Sequence, residues 1–333
     1  MLGLRRPQAA ESDDTPGAPR LQSTACAICG PGTNATELYS ANFTPADLTP
    51  DVFSARRMPD RIHFRQVRCV ACGLIRSDPA IDAKSLRQLY GKSTFDYGSE
   101  LDGLRSTYRR YLQKARNLGG RQQSLLEIGC GNGFFLEEAL TNGYSDVSGV
   151  EPSSSAVAAA SPSIRPYIVC DVMGPGLFPD GSFDAVCLFQ VFDHLPDPGA
   201  VLDASLKVLR SGGVLLCLNH NVNAWSSRLM RERSPIVDVE HPYLYSPGTI
   251  AHIFSQHGYR VLEQGRVFNT AAVRYLAQLL PIPTAPRRRL IKILRTTGLG
   301  RVKLRLPLGN LYLIAQKPSS EPASPKQRAT TAD

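Results

Sequence analysis

Residues 124–140 read SLLEIGCGNGFFLEEAL, an apolar run that stops at three closely spaced glycines and continues as a helix pattern. A chain that enters a glycine-rich turn as a strand and leaves it as a helix builds one unit of an open, mainly parallel sheet. The pattern then repeats. DVSGVE, PYIVCD, FDAVCLFQV, GVLLCLNH, RVLEQGRVF and GNLYLIAQK read as further strands. FDAVCLFQV is continuously apolar, as a parallel strand covered on both faces must be. Between the strands, SSSAVAAAS opens on a serine cap, and PGAVLDASLKVLRSGG has proline at its start and glycine after its end. SPGTIAHIFSQHGY is capped and ends at Gly258. The alternation predicts an α/β fold with a doubly wound sheet of seven strands.

Glycine turns of this kind usually cradle phosphate, because exposed backbone N–H groups and a helix N-terminus attract anions. Here Glu127 lies two residues before Gly129, where its carboxylate repels a pyrophosphate. Gly129, Gly131 and Gly133 give G-x-G-x-G, not the G-x-G-x-x-G of dinucleotide sites, and no Lys-Ser/Thr pair follows to make a phosphate loop. A partly cationic ligand with a ribose and no phosphate suits the turn better.

Over residues 124–317 the chain resembles the class I S-adenosylmethionine-dependent methyltransferases. LLEIGCGNG matches the first motif of that family and GVEPS the second. CDVMG, FDAVCLFQVFDHLPDP and LKVLRSGGVLLCLNHN follow in the family's order. The resemblance implies a Rossmann-like methyltransferase sheet with S-adenosylmethionine as cofactor. It implies that Glu127, Gly129, Gly131, Gly133, Glu151, Asp171 and Gln190 bind it, with Glu151 accepting the ribose hydroxyls and Asp171 near the adenine amine. Dehydrogenases also carry an acid about 20 residues beyond their glycines, so Glu151 alone does not discriminate. The ordered set of motifs does. The implied chemistry is direct displacement at a methyl carbon, where alignment does most of the work. Gly131 and Gly133 are expected to let the backbone approach the cofactor, since neither carries a Cβ.

Eight cysteines divide into two groups. Cys26, Cys29, Cys69 and Cys72 form CAICG and CVACG, matching turns whose glycines let N–H groups fold back onto sulfur. Two such pairs supply four soft ligands to one ion, the usual closed arrangement of structural zinc. Their separation exceeds the ~15–20 residues of common zinc ribbons, so the intervening chain must loop out. Cys130, Cys170, Cys187 and Cys217 are scattered through apolar segments and read as small buried hydrophobes. The order of cysteine segment, methyltransferase core and late insertion resembles a bacterial subgroup of sugar and cell-envelope glycan methyltransferases. VRCVACGLIRSDP and HPYLYSPGTIAHIFSQHGY carry that likeness. It implies a sugar or glycan-like acceptor, methylated at oxygen; another small molecule and RNA are the alternative acceptors.

The acceptor is expected over the loops after the fourth and fifth strands. Asp193 and His194 follow the fourth strand, His220 follows the fifth, and His241 lies in the next loop. A hydroxyl acceptor needs a base, and histidine is the commonest. His194 and His241 are the leading candidates, with Asp193 beside them and His220 behind them.

The formal net charge of +9 has one main source. Residues 264–320 contain no acid, while Arg287, Arg288, Arg289, Lys292, Arg295, Arg301, Lys303 and Arg305 crowd one stretch. In RRRLIKILR, Leu290, Ile291 and Leu294 share one helical side and Arg288, Lys292 and Arg295 another. Residues 287–305 therefore read either as a solvated lid or as a peripheral contact with an anionic membrane. Nucleic acid is disfavoured, because the stretch lacks interleaved aromatics. No apolar run reaches the ~18–20 residues of a bilayer span. MLGLRRPQAAESDDTPG has no signal-peptide core, so a cytoplasmic location is expected. The organisation expected is a disordered tail at 1–24 and a zinc-binding segment at 25–80. A helical connector follows at 81–123, then the methyltransferase domain at 124–317 with an insertion at 268–308, and a second tail at 318–333.

Overall fold

The computed structural model describes residues 19–49, 52–53, 60–92, 101–119, 123–279 and 283–319. The chain first builds a small antiparallel layer from β1 (Leu21–Gln22), β2 (Ala35–Tyr39), β3 (Gln66–Cys69), β4 (Ile75–Ser77) and β5 (Ala80–Ile81). β1 pairs with β5, while β2, β3 and β4 form a meander. Leu21 and Gln22, inside the stretch read as a tail over 1–24, are thus paired into this layer. Ser23 Oγ and the Thr24 N–H both donate to Asp78 Oδ1 at 3.0 Å, which ties that end to the layer. Residues 1–18 and 320–333 lie outside the described residues.

Two helices follow, α1 (Ala83–Lys92) and α2 (Leu101–Asn117). α2 is more than a connector. Leu104, Tyr108, Tyr111, Leu112 and Ala115 fall on one face at helical spacing and are buried against the central sheet.

The central unit contains β6 (Ser124–Ile128), α3 (Phe134–Thr141), β7 (Asp146–Val150), α4 (Ser154–Ala158), β8 (Ile168–Val169) and β9 (Phe183–Phe189). It continues through α5 (Pro198–Val208), β10 (Leu209–His220), α6 (Trp225–Met230), β11 (Tyr243–Leu244), α7 (Pro247–Gln256) and β12 (Arg260–Arg266). β13 (Asn269–Ala272), α8 (Val273–Leu279), α9 (Thr284–Thr296) and β14 (Lys303–Leu306) intervene before β15 (Asn310–Gln316). Seven strands form one sheet in the order β12-β15-β10-β9-β6-β7-β8, with β15 antiparallel to both its neighbours. The chain winds outward from β6 to β8 and returns to β9 on the other side of β6. That reversal is the topological switch point, where the carboxyl ends of β6 and β9 part and leave a crevice.

Side chains alternate cleanly across this sheet. Leu126, Ile128, Val186, Leu188 and Leu215 join α5, α7 and the cysteine segment in one core. Leu125, Ala185, Cys187, Leu216 and Leu218 join α2 and α3 in the other. β9 is buried at every position, which accounts for its uninterrupted apolar sequence. α5 starts as its sequence predicts, with Asp197 Oδ1 accepting from the Ala200 N–H at 3.0 Å and proline in the first turn. It ends earlier than the sequence pattern, at Val208, because Leu209 pairs with Phe183 and pulls the chain into β10. Ser246 and Thr249 close a capping box at the start of α7.

β13 and β14 pair with each other, and β13 rests on α2 through the Thr270 N–H donating to Thr107 Oγ1 at 2.9 Å. On α9, Leu290, Ile291 and Leu294 are half-buried while Arg288, Lys292, Ile293 and Arg295 are exposed. Cys130, Cys187 and Cys217 are buried as expected, but Cys170 is exposed. It follows the two-residue edge strand β8, where no further strand covers it. Among the described residues no helix is long and apolar enough to cross a membrane.

Candidate active site

The glycine turn leaves the carboxyl end of β6 at the switch point. Gly129, Gly131 and Gly133 take φ of 70°, 55° and 73°, backbone that side chains rarely adopt. The N–H groups of Gly129 and Cys130 both donate to the Val150 carbonyl, so the turn is laced to β7. A Cβ on Gly129 would stand 2.4 Å from Val191 Cγ2, and one on Gly133 would stand 2.5 Å from Ile164 Cγ2. Two of the three glycines are therefore needed for packing as well as for backbone conformation.

Two acids flank this turn. Glu127 is 2% exposed and its Oε2 has no hydrogen-bond partner among the described residues. Burial pushes its carboxyl well up, and Glu151 adds to that. Glu151 at the end of β7 accepts from the Gly131 N–H at 2.9 Å and from the Ser153 N–H at 2.8 Å. Burial raises its pKa despite those two donors. An orphaned carboxylate oxygen and a second, half-buried acid beside a glycine turn call for a cationic, hydroxyl-bearing ligand. S-adenosylmethionine, with its ammonium, sulfonium and ribose, fits that donor set. Asp171 lies further along the same edge, and its Oδ1 is 2.5 Å from Arg87 Nη2 of α1. Gln190 follows β9 at φ 58°, its N–H held by the Leu218 carbonyl at 2.8 Å and its Oε1 buried without a partner among the described residues.

One strand across, the ends of β9 and β10 and the loop before β11 bring three histidines around one aspartate. Asp193 is fully buried, and the Asn219 side chain accepts from its N–H at 3.1 Å. Its Oδ2 is 2.6 Å from His220 Nδ1. Burial pushes the Asp193 carboxyl up, but His220, His241 and His194 outweigh it and hold the group well below the usual carboxylate range. His241 is 6% exposed, with its Nδ1 3.0 Å from the Ile236 carbonyl. Its ring lies 4.5 Å from that of His194 and 5.0 Å from that of His220. Burial and the neighbouring His194 push His241 well below its ordinary pKa, and burial also lowers His194. His194 Nδ1 is hydrogen-bonded to the Tyr90 hydroxyl of α1 at 3.1 Å.

The four N-terminal cysteines converge. Their sulfurs lie within 4.8 Å of one another, with Cys26–Cys72 at 3.5 Å and Cys29–Cys69 at 3.9 Å. A tetrahedral ion with bonds of about 2.3 Å needs sulfur separations of roughly this size. The Cys29 N–H points at Cys26 Sγ at 3.4 Å. At Cys69, burial is outweighed by N–H groups from Cys72 and Ala71, which bring the thiol down to about 7. The donor set fits a zinc ion, and Cys26, Cys29, Cys69 and Cys72 would hold it.

The structure thus brings Asp193, His194 and His241 into one cluster, and Glu127, Gly129, Gly131, Gly133 and Glu151 into one turn. It also makes His220 the direct partner of Asp193, and it adds Tyr90. The pairing of Asp193 with His220 spans 27 residues of sequence, so only the adjacency of β9 and β10 could have signalled it. Nothing in SLRQLYGKS marks Tyr90.

Residues 101–264 match a family model described as a methyltransferase domain. The chain is 31% identical over 119 residues to a ubiquinone biosynthesis O-methyltransferase of Psychrobacter arcticus, covering 33% of this chain and 46% of that protein. It is 30% identical over 123 residues to a 2-methyl-6-phytyl-1,4-hydroquinone methyltransferase of Synechocystis, covering 33% and 38%. The chain therefore spans less than half the length of these curated relatives. The crystal structure of a SAM-dependent methyltransferase from Archaeoglobus fulgidus aligns with 71% of this chain and 100% of that one, at 18% identity and a TM-score of 0.44.

Proposed function

We propose that this chain, whose residues 101–264 match a methyltransferase domain, transfers the methyl group of S-adenosylmethionine to an oxygen of a small hydroxyl-bearing acceptor. The observation that carries the reading is the Asp193–His220 pair, 2.6 Å apart and one strand from the glycine turn. With its Nδ1–H donated to Asp193 Oδ2, His220 presents Nε2 as a base, and the ionised carboxylate stabilises the imidazolium that forms. Bound in the crevice, S-adenosylmethionine supplies a methyl carbon attached to a sulfonium leaving group. Glu127 would hold the cationic end of the ligand, Glu151 the ribose hydroxyls and Asp171 the adenine edge. Gln190 borders the crevice between the ligand and the acceptor. The acceptor hydroxyl would give its proton to His220 as its oxygen bonds the methyl carbon and the carbon–sulfur bond breaks, the electron pair staying on sulfur as the thioether of S-adenosylhomocysteine. His241 and His194 wall the pocket, and His241 offers a second nitrogen to the acceptor.

A sugar or glycan-like acceptor is supported by the likeness of the cysteine segment and of HPYLYSPGTIAHIFSQHGY to glycan methyltransferases. The curated relatives, named for quinone and hydroquinone methylation, support phenolic hydroxyls as the second class. The four cysteines are read as a structural zinc site. Exposed Ile293, Leu299 and Val302 among the cations of residues 287–305 support contact with an anionic membrane surface. That contact is tested by flotation with phosphatidylglycerol vesicles; protein left at the bottom of the gradient overturns it.

The function is tested with methyl-labelled cofactor and a panel of nucleotide-sugars, lipid-linked glycans and phenols. One hydroxyl-bearing class should accept label. His220→Ala should then slow turnover by about 10²–10⁴-fold while leaving S-adenosylhomocysteine binding intact. Full turnover by His220→Ala would remove His220 as the base.

A further inference from the structure

We infer that the cysteine centre is a positioning device for His241, so that metal held there sets the acceptor side of the active site more directly than the cofactor side. The inference rests on the zinc and methyltransferase readings above and takes them one step further. It starts from the second cysteine turn. The Cys69 N–H donates to the Leu74 carbonyl at 2.9 Å and the Gly73 N–H to the Cys69 carbonyl at 3.0 Å, so the turn runs directly into β4. β4 pairs antiparallel with β11, with Arg76 opposite Tyr243 and Ile75 opposite Leu244. One step beyond that ladder, the Ser77 N–H donates to the Pro242 carbonyl at 2.9 Å and Ser77 Oγ to the His241 carbonyl at 3.4 Å.

The first cysteine turn grips the same region from the other side. Tyr243 Oη donates to the Ala25 carbonyl at 3.4 Å, and Gln256 Nε2 donates to the Ile28 carbonyl at 3.2 Å. Cys26, Ile28, Cys69 and Leu74 share a core with Tyr243, Tyr245, Phe254 and Phe192, and Phe192 precedes Asp193. Both turns therefore converge on the two-residue strand that follows His241. A strand so short supplies few hydrogen bonds of its own. Its place depends on β4, and the place of β4 depends on the turn that the ion closes. The acids and glycines read as the cofactor side stand on β6 and at the carboxyl ends of β6 and β7, whose ladders run to each other, to β9 and to β8. Those strands meet the cysteine segment through side-chain packing and not, among the described residues, through strand pairing.

The test compares zinc-loaded and chelated full-length protein by metal analysis, hydrogen exchange and calorimetry with S-adenosylhomocysteine. Metal removal should speed amide exchange in residues 75–77 and 241–245 by about tenfold or more, as local opening of a low-stability unit does. Exchange in β6 and β9 and the affinity for S-adenosylhomocysteine should stay within about threefold. Unchanged protection at 241–245 overturns the inference. Equal loss of protection in β6 and β9 also overturns it, because the ion would then hold the whole fold. Less than half a zinc per chain in the starting protein sinks the zinc reading and this inference together, while leaving the methyltransferase reading to the calorimetry. If the chelated protein aggregates, Cys29→Ser at the exposed cysteine gives the same comparison in a milder form, with the same outcomes expected.

Discussion

Three glycines in one turn do different work. A methyl group on Gly129 meets Val191 at 2.4 Å on a backbone already at φ 70°. Gly129→Ala should therefore cost about 1–3 kcal/mol, read as a lowered Tm, and an unshifted melting curve would contradict the packing. Gly131 at φ 55° instead donates its N–H to Glu151. Gly131→Arg should abolish cofactor binding by filling the crevice, and a folded variant that binds normally would move the cofactor elsewhere. The acids proposed to hold the cofactor could be picked out in the sequence because the turn is local, with Glu127 two residues before the first glycine. The Asp193–His220 pair was not, since its members meet only through parallel pairing of β9 and β10. Tyr90 and His194 stand 104 residues apart and were still less visible.

Among the elements, the amino ends of the central strands are held by a buried charge. Asp184, at the start of β9, accepts from the N–H groups of Gln123 and Ser124 and from Arg210, at 2.9, 3.1 and 2.9 Å. Burial pushes its carboxyl up, but Arg210 and the two backbone donors outweigh burial and lower it. A carboxyl depressed in the folded state contributes stability above its unfolded pKa of about 3.9 and loses it as pH falls through the folded value. Asp184→Asn should therefore cost about 1–3 kcal/mol in urea unfolding at pH 7, less at acid pH. A cost equal at pH 7 and pH 3 would contradict this. The strand runs were readable as strands because burial on both faces demands continuous apolar sequence. The end of α5 was not, because pairing of Leu209 with Phe183 overrides the helical pattern of LKVLRS. The function of α2 was hidden as well; its apolar spacing marks a buried face, but only the fold shows that the sheet buries it.

At the scale of the molecule, the cysteine segment shares a core with the seven-stranded sheet and shares a strand pairing with the strand that follows His241. α1 reaches the same mouth, through Arg87 to Asp171 and Tyr90 to His194. The acceptor pocket is thus assembled from residues far apart in sequence, whereas the cofactor side comes from one contiguous strand–turn–helix stretch and the strand after it. That difference is why the cofactor could be read from motifs and the acceptor only by class. Everything above depends on the crevice at β6 and β9 taking S-adenosylmethionine. The most direct measurement is a calorimetric titration of S-adenosylhomocysteine into zinc-loaded protein. One site with affinity on the order of micromolar, or about −8 kcal/mol, is expected, together with its loss in Gly131→Arg. No heat of binding from a folded, zinc-loaded sample would contradict the assignment of the glycine turn and the proposed activity with it.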